Sequence, residues 1–177
     1  SYPMFERNHW VWIWMGDPED ADDTLIPDTY WHDSSDWVSI GDKFSVDCNY
    51  QLLIDIQLDN THSRFVPPDT LDNAGSLKHE PKTSRDGETL RNHRRMPDSD
   101  PPPIFARAAK IDGNADVWVE RQYSPRAGII TFDAGIAELG SGVFDGDRSK
   151  AMTMFNTHGI TPETDGTSLS TECLTFL

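Results

Sequence analysis

The sequence predicts a mostly antiparallel α+β fold. Three observations carry this expectation: six or seven short segments with strand composition, turn-rich connections too short to hold crossover helices, and only two or three stretches with helical spacing. The 177 residues are enough to bury a core, and one domain spanning 1–177 is the expected organisation.

The elements follow in chain order. Trp10 to Met15 is an apolar run closed by Gly16-Asp17-Pro18, too short for a helix and rich in strand formers, so it is expected to be a buried strand. The acidic stretch Glu19 to Asp36, broken by Pro27, is expected to be a surface connection with one short helix. It lacks the D-x-D-x-D-G spacing of a calcium loop, as does Asp112 to Asp116. Phe44 to Cys48 alternates like a strand. From Asn49, the spacing of Tyr50, Leu53, Ile54, Gln57 and Leu58 predicts a helix with one apolar face, ending before Pro67-Pro68.

Further on, Asp86-Gly87 between Lys82–Arg85 and Glu88–Arg95 signals a hairpin, and Ile104 to Lys110 is a short helical patch after Pro101-Pro102-Pro103. Val117 to Tyr123, Gly128 to Leu139 and Ala151 to His158 complete the strands.

A net charge of −15 repels phosphate backbones and acidic membrane surfaces, so neither nucleic acid nor a membrane is an expected partner. No window approaches the length of apolar chain that spans a bilayer. Arg91, Arg94 and Arg95 are read as a solvated basic face, with a small anion as the alternative occupant. No charged-then-apolar leader and no N-x-Ser/Thr acceptor occur, and the expected compartment is the cytoplasm. Cys48 and Cys173 are expected to be ordinary small side chains rather than a disulfide framework.

Two places bear on chemistry. Asp59 and His62 stand three apart, on one face of any helix that carries both, and a carboxylate beside an imidazole fixes its tautomer. His158 shares one side of a strand with Met152, Met154 and Asn156 by period-two alternation, and that side is a candidate pocket lining. No H-E-x-x-H, G-x-S-x-G, P-loop or dinucleotide motif occurs.

The stretch Asn49 to Pro68, NYQLLIDIQLDNTHSRFVPP, resembles the N-x2-D-x2-H-x4-H iron-site region of Rieske non-haem iron oxygenase α subunits, in particular the vanillate O-demethylase and dicamba monooxygenase group. Val11-Trp-Ile-Trp-Met-Gly-Asp-Pro18, Leu25-Ile-Pro-Asp28, Val46-Asp-Cys-Asn-Tyr50 and His158-Gly-Ile-Thr-Pro-Glu-Thr164 extend the resemblance in the family's order. It implies a helix-grip (START/Bet v 1-like) domain, a curved antiparallel sheet around a long helix with a ligand cavity.

By position the resemblance makes Asp59 the electron-transfer bridge and His62 an Fe(II) ligand. The family's asparagine falls on Ile56 and its second histidine on Pro67, and the carboxylate ligand is absent. The [2Fe-2S] cluster belongs to an N-terminal Rieske domain whose C-x-H and C-x2-H pairs do not occur in these residues. The implied activity is Fe(II)- and dioxygen-dependent monooxygenation or O-demethylation of a small aromatic acid, with an NADH-dependent reductase as partner and a homotrimer as assembly. This chain alone is expected to be inactive. The alternative is a metal-free small-molecule-binding domain that has kept the cavity fold and lost the iron site.

Overall fold

In the computed structural model, residues 1–59 and 74–176 are described. Seven antiparallel strands form the main sheet in the order β3-β9-β8-β7-β6-β5-β4, and β1 (Met4–Arg7) pairs with β2 (Trp10–Ile13) as a separate hairpin. The main strands are β3 (Val38–Val46), β4 (Lys82–Asp86), β5 (Thr89–Ser99), β6 (Ala115–Ser124), β7 (Ile129–Ala137), β8 (Met152–Pro162) and β9 (Ser168–Phe176). From β4 to β9 each strand lies beside its predecessor in sequence, joined by tight turns except where α2 links β5 to β6 and a longer loop links β7 to β8. β3 alone joins from a distance, closing onto β9 at the far edge.

Helix α1 (Tyr50–Leu58) starts because Asn49, extended at φ −63° and ψ 139°, accepts a hydrogen bond from the Gln51 amide at 2.9 Å. The Asn49 side chain also donates to the Asp165 carbonyl, and Ser168 donates to the Cys48 carbonyl at 2.8 Å, tying the helix start to the turn before β9. Helix α2 (Pro103–Ala109) begins with proline in its first turn and ends at Lys110 in the left-handed conformation. It drives Phe105 into a cluster with Met96, Val117, Ala134 and Ile136. Burying each of the large side chains there stabilises the fold by about 1.5–3 kcal/mol.

The opposite face of the sheet is covered by the segment before β3. Trp31 stacks on Phe155 with centroids 4.1 Å apart and planes 10° from parallel, and Trp37 packs against the same ring at 4.9 Å. His32 reaches Thr157 Oγ1 with Nε2 at 3.0 Å. Trp10 lies against Gly159, where a Cβ would strike its indole.

Several expectations are corrected. The Trp10–Met15 run is a strand only to Ile13 and is not buried through, because Val11 and Ile13 face solvent. The connection over 19–36 carries three short 3-10 helices rather than one, and it buries Thr29 and Trp31. The hairpin turn sits one residue later than expected: Asp86 pairs with Thr89, leaving Gly87, at φ +57°, and Glu88 in the bend. β3 begins earlier than Phe44, and β1 and β9 were not anticipated.

Candidate functional site

Cross-strand register turns the helix-bearing face of the sheet into rows. The first row, Met96, Val117, Ile136 and Met152, is apolar and lies under α2. The next holds Arg94, Val119, Ala134 and Met154. Below it come Asn92, Arg121, Phe132, Asn156 and Leu174, and then Leu90, Tyr123, Ile130, His158 and Glu172. One end of the face is therefore hydrocarbon and its middle is polar. Helix α1 lies over this polar part: the Asp59 charge acts on Arg121, and Tyr50 acts on Tyr123.

The polar rows are dense in half-satisfied groups. His158 is only 4% exposed, and its Nδ1 lies 3.3 Å from Glu172 Oε1, inside ion-pair reach but without the alignment of a hydrogen bond. The neighbouring imidazole holds the Glu172 carboxyl below its ordinary range, against the burial that raises it, with a smaller contribution from the Ser170 hydroxyl. The His158 ring meets Phe132 at 5.0 Å, and the Arg121 guanidinium lies over the same Phe132 ring at 4.8 Å. Burial, reinforced by the like charge of Arg94, lowers Arg121 to about 10, while Asp59 opposes the shift. Asn156 Oδ1, Arg94 Nε and Arg121 Nε are buried without a hydrogen-bond partner. Such groups lose their hydration without replacement, at roughly 1–3 kcal/mol each for neutral atoms.

The structure sorts the residues singled out in the sequence. Met154, Asn156 and His158 do share one side of β8, with Met152 further along it. Met154 packs against the apolar cluster, whereas Asn156 and His158 lie in the polar rows. Asp59 has left the helix: it is the C-terminal cap of α1 at φ −73° and ψ 121°, with its amide donating to the Asp55 carbonyl. The helical relation expected between Asp59 and His62 therefore does not begin inside α1. His62 and Pro67 lie outside the described residues. Ile56, at the asparagine position, is 45% exposed on α1 and offers no polar group.

The arginine cluster is split rather than shared. Strand alternation turns Arg91 and Arg95 outward, with Arg95 donating to the Phe144 carbonyl, and turns Arg94 inward beside Met96. Arg121 was missed, although its neighbours at period two, Val117 and Val119, mark its face as the core face. Cys48 and Cys173 are free, and Cys173 Sγ lies 3.4 Å from His32 Nδ1.

Iron can be tested against the donors present. Among the described residues no cluster of three His, Cys, Asp or Glu side chains is arranged to hold a metal ion. The motif itself supplies one imidazole, His62, where the family's pattern supplies two, since the side chain of proline has no donor atom to give a metal. The described residues do not by themselves make an iron site.

Residues 46–175 match the family described as the vanillate O-demethylase oxygenase C-terminal domain. The chain belongs to that family. The matched span runs from the end of β3 through β9 and so contains α1 and every row of the polar face. Among members and relatives, the chain is 40% identical over 174 residues to the iron-sulfur subunit of the toluene-4-sulfonate monooxygenase system of Comamonas testosteroni, covering 95% of this chain and 49% of that protein. It is 30% identical over 170 residues to a vanillate O-demethylase oxygenase subunit of a Pseudomonas species, covering 93% and 48% respectively. Thus the chain spans about half the length of the curated relatives it matches. The crystal structure of dicamba monooxygenase bound to dicamba superposes with a TM-score of 0.84 at 23% identity, over 99% of this chain and 49% of that one. This likeness fixes the fold as that of the family's C-terminal domain. No described helix is long and apolar enough to cross a membrane.

Proposed function

We propose that this chain is the catalytic-domain portion of a Rieske-type aromatic oxygenase. The whole protein would carry out Fe(II)- and dioxygen-dependent monooxygenation, in the form of O-demethylation or a related oxidation of an aromatic acid. What supports this reading is that Asp59, which the resemblance puts at the family's bridging position, acts with its charge on Arg121 in the same polar rows that hold Phe132, Asn156 and His158. An aromatic ring finds Phe132 and Met154 on this face, and a polar substituent finds Asn156 and His158.

What these residues do is bind and orient. His158, fixed between Phe132 and Glu172, presents an imidazole that has little freedom to rotate, and Asn156 adds an acceptor that lacks a partner. Electrons would come from an NADH-dependent reductase through a [2Fe-2S] cluster, for which these residues contain no C-x-H and C-x2-H pairs. On this reading the 177-residue chain turns over no substrate by itself, and a homotrimer brings a cluster of one subunit to the iron of the next.

Pro67 at the second histidine position favours a second reading, a metal-free domain that binds the same class of small molecule. Anaerobic purification with added Fe(II), followed by metal analysis, separates the two. Stoichiometric iron that is lost in His62→Ala supports the oxygenase reading; protein free of iron makes this either a metal-free cavity domain or an incomplete fragment. Ile56→Asn combined with Pro67→His is expected to raise iron content, because it restores the missing donor.

A further inference from the structure

We infer that Arg94 and Arg121 form a receptor for the anionic group of an aromatic ligand, a carboxylate or a sulfonate, and select charged over uncharged ligands. The inference rests on the binding-face reading above and names the substrate feature that face recognises.

The two arginines stand on adjacent strands of the helix-bearing face. Asn92 pairs with Arg121 across β5 and β6, which makes Arg94, two residues along β5, the diagonal neighbour of Arg121. Diagonal positions on one face are about 7–8 Å apart, close enough for two long side chains to converge on one small ion. Like charges at such positions are a cost, and nothing in the described fold offsets it by direct pairing. Among the described residues neither guanidinium has a carboxylate within ion-pair distance, whereas Arg7, Arg126 and Arg148 are each paired. Both Nε atoms are buried without a hydrogen-bond partner.

Asp59 acts on Arg121 from the end of α1 but does not restore it: burial and Arg94 outweigh that carboxylate, and Arg121 stays depressed to about 10. Arg94 is depressed by burial as well. An unpaired guanidinium inside a protein is destabilising, and an anion placed between two of them turns that cost into binding. Arginine suits this role better than lysine, because its planar fork matches the paired oxygens of a carboxylate or sulfonate.

The surroundings dictate what is attached to the anion. Arg121 lies over Phe132, whose ring continues to His158, and the row above runs from Arg94 through Val119 and Ala134 to Met154. A ligand with its charged group at β5 and β6 therefore lays its ring along β7 and β8. Its far end meets Asn156 and His158.

The test compares the 177-residue chain's affinity, by isothermal titration calorimetry, for 4-methylbenzoate and toluene-4-sulfonate with that for their uncharged counterparts, 4-methylbenzamide and 4-methylbenzenesulfonamide. The anions are expected to bind at least about tenfold more tightly. The better of the two anions identifies carboxylate or sulfonate as the preferred group. Arg121→Gln and Arg94→Gln are each expected to remove most of that preference and leave the uncharged counterparts unchanged, and Arg121→Lys to retain part of it. Equal affinity for charged and uncharged ligands, equal losses for both in the variants, or no binding of any of the four overturns the inference. The wild-type comparison stands even if a variant fails to fold. Iron analysis on the same preparations is a separate readout: anion preference decides the receptor whether or not iron is present, and iron that is lost in His62→Ala supports the oxygenase reading whether or not anions are preferred.

Discussion

Gly135 on β7 is where a single methyl group should cost most. It pairs across the ladder with Trp118 of β6, and a Cβ built on it would collide with both the Trp118 indole and the Met152 carbonyl of β8. The carbonyl can retreat only by opening the end of the β7–β8 ladder, and the indole must move as well. That residue is 5% exposed, and its ring is held by two side chains that are themselves tied together. Its Nε1 donates to Asp133 Oδ1 at 2.8 Å, Arg148 lies 4.7 Å above it, and Arg148 in turn makes two hydrogen bonds to Asp133, at 2.8 and 2.6 Å.

Overpacking alone costs about 1–3 kcal/mol. A lengthened hydrogen bond to a carboxylate adds part of the ~1.5–3 kcal/mol such a bond is worth. Gly135→Ala is therefore expected to destabilise by about 3–4 kcal/mol. With a urea slope near ~2 kcal/mol/M, the midpoint should fall by roughly 2 M. Gly166→Ala is the control: a Cβ there meets nothing within 4 Å, so the change should stay within about 0.5 kcal/mol. Urea unfolding followed by tryptophan fluorescence measures both. A Gly135→Ala loss as small as that of the control would show that Trp118 is not locked as described.

Two further outcomes follow from the other side of the sheet. Trp31→Ala, which removes a 6%-exposed ring stacked on Phe155, should cost about 3–5 kcal/mol, while Trp31→Phe should stay within about 1 kcal/mol because it keeps a stacked ring and deletes a buried Nε1–H that has no partner; chemical denaturation that finds the two variants equal refutes this account. Burial first, and then the charge of His9, hold His32 below its ordinary 6.5, with Asp33 opposing. A depressed folded pKa means that the unfolded chain binds the proton first, so this contribution to stability is whole above pH 6.5 and is lost as pH falls below it. His32→Gln should flatten the fall in unfolding free energy between neutral pH and pH 5, and an unchanged slope would place its origin elsewhere.

How much of this was legible in the sequence depended on whether hydropathy tracked burial. The β4–β5 hairpin was readable because Gly87 supplies the one positive φ the bend requires. The alternation of Met152, Met154, Asn156 and His158 was readable because period two fixes a shared side whatever the residues are. β9 was not, since its buried positions are Ser168, Ser170 and Thr175, small polar side chains that invert the usual signal. The apolar run from Trp10 misled in the opposite sense, because half of it faces solvent. Among the arginines, adjacency in sequence suggested one solvated face, whereas a strand sends neighbours to opposite sides and puts only Arg94 with Arg121. The family resemblance singled out Asp59, and the helix expected to run on towards Pro67 stops at Leu58, with Asp59 as its cap.

The pairing of β3 with β9 sets the order in which the molecule can be finished. Six strands, β4 to β9, can assemble by successive pairings of sequence neighbours, with α2 closing the gap between β5 and β6, and such local steps are fast. β3 and the start of α1 have no such neighbour. Their bonds run to the last strand and the turn before it, as between Cys48 and Ser168, 120 residues apart. On the ribosome, the helix that Asp59 caps must therefore wait until β9 has emerged before it can seat. Any lesion in β9 reaches the far side of the molecule by the same route, unseating α1 without touching a residue in it.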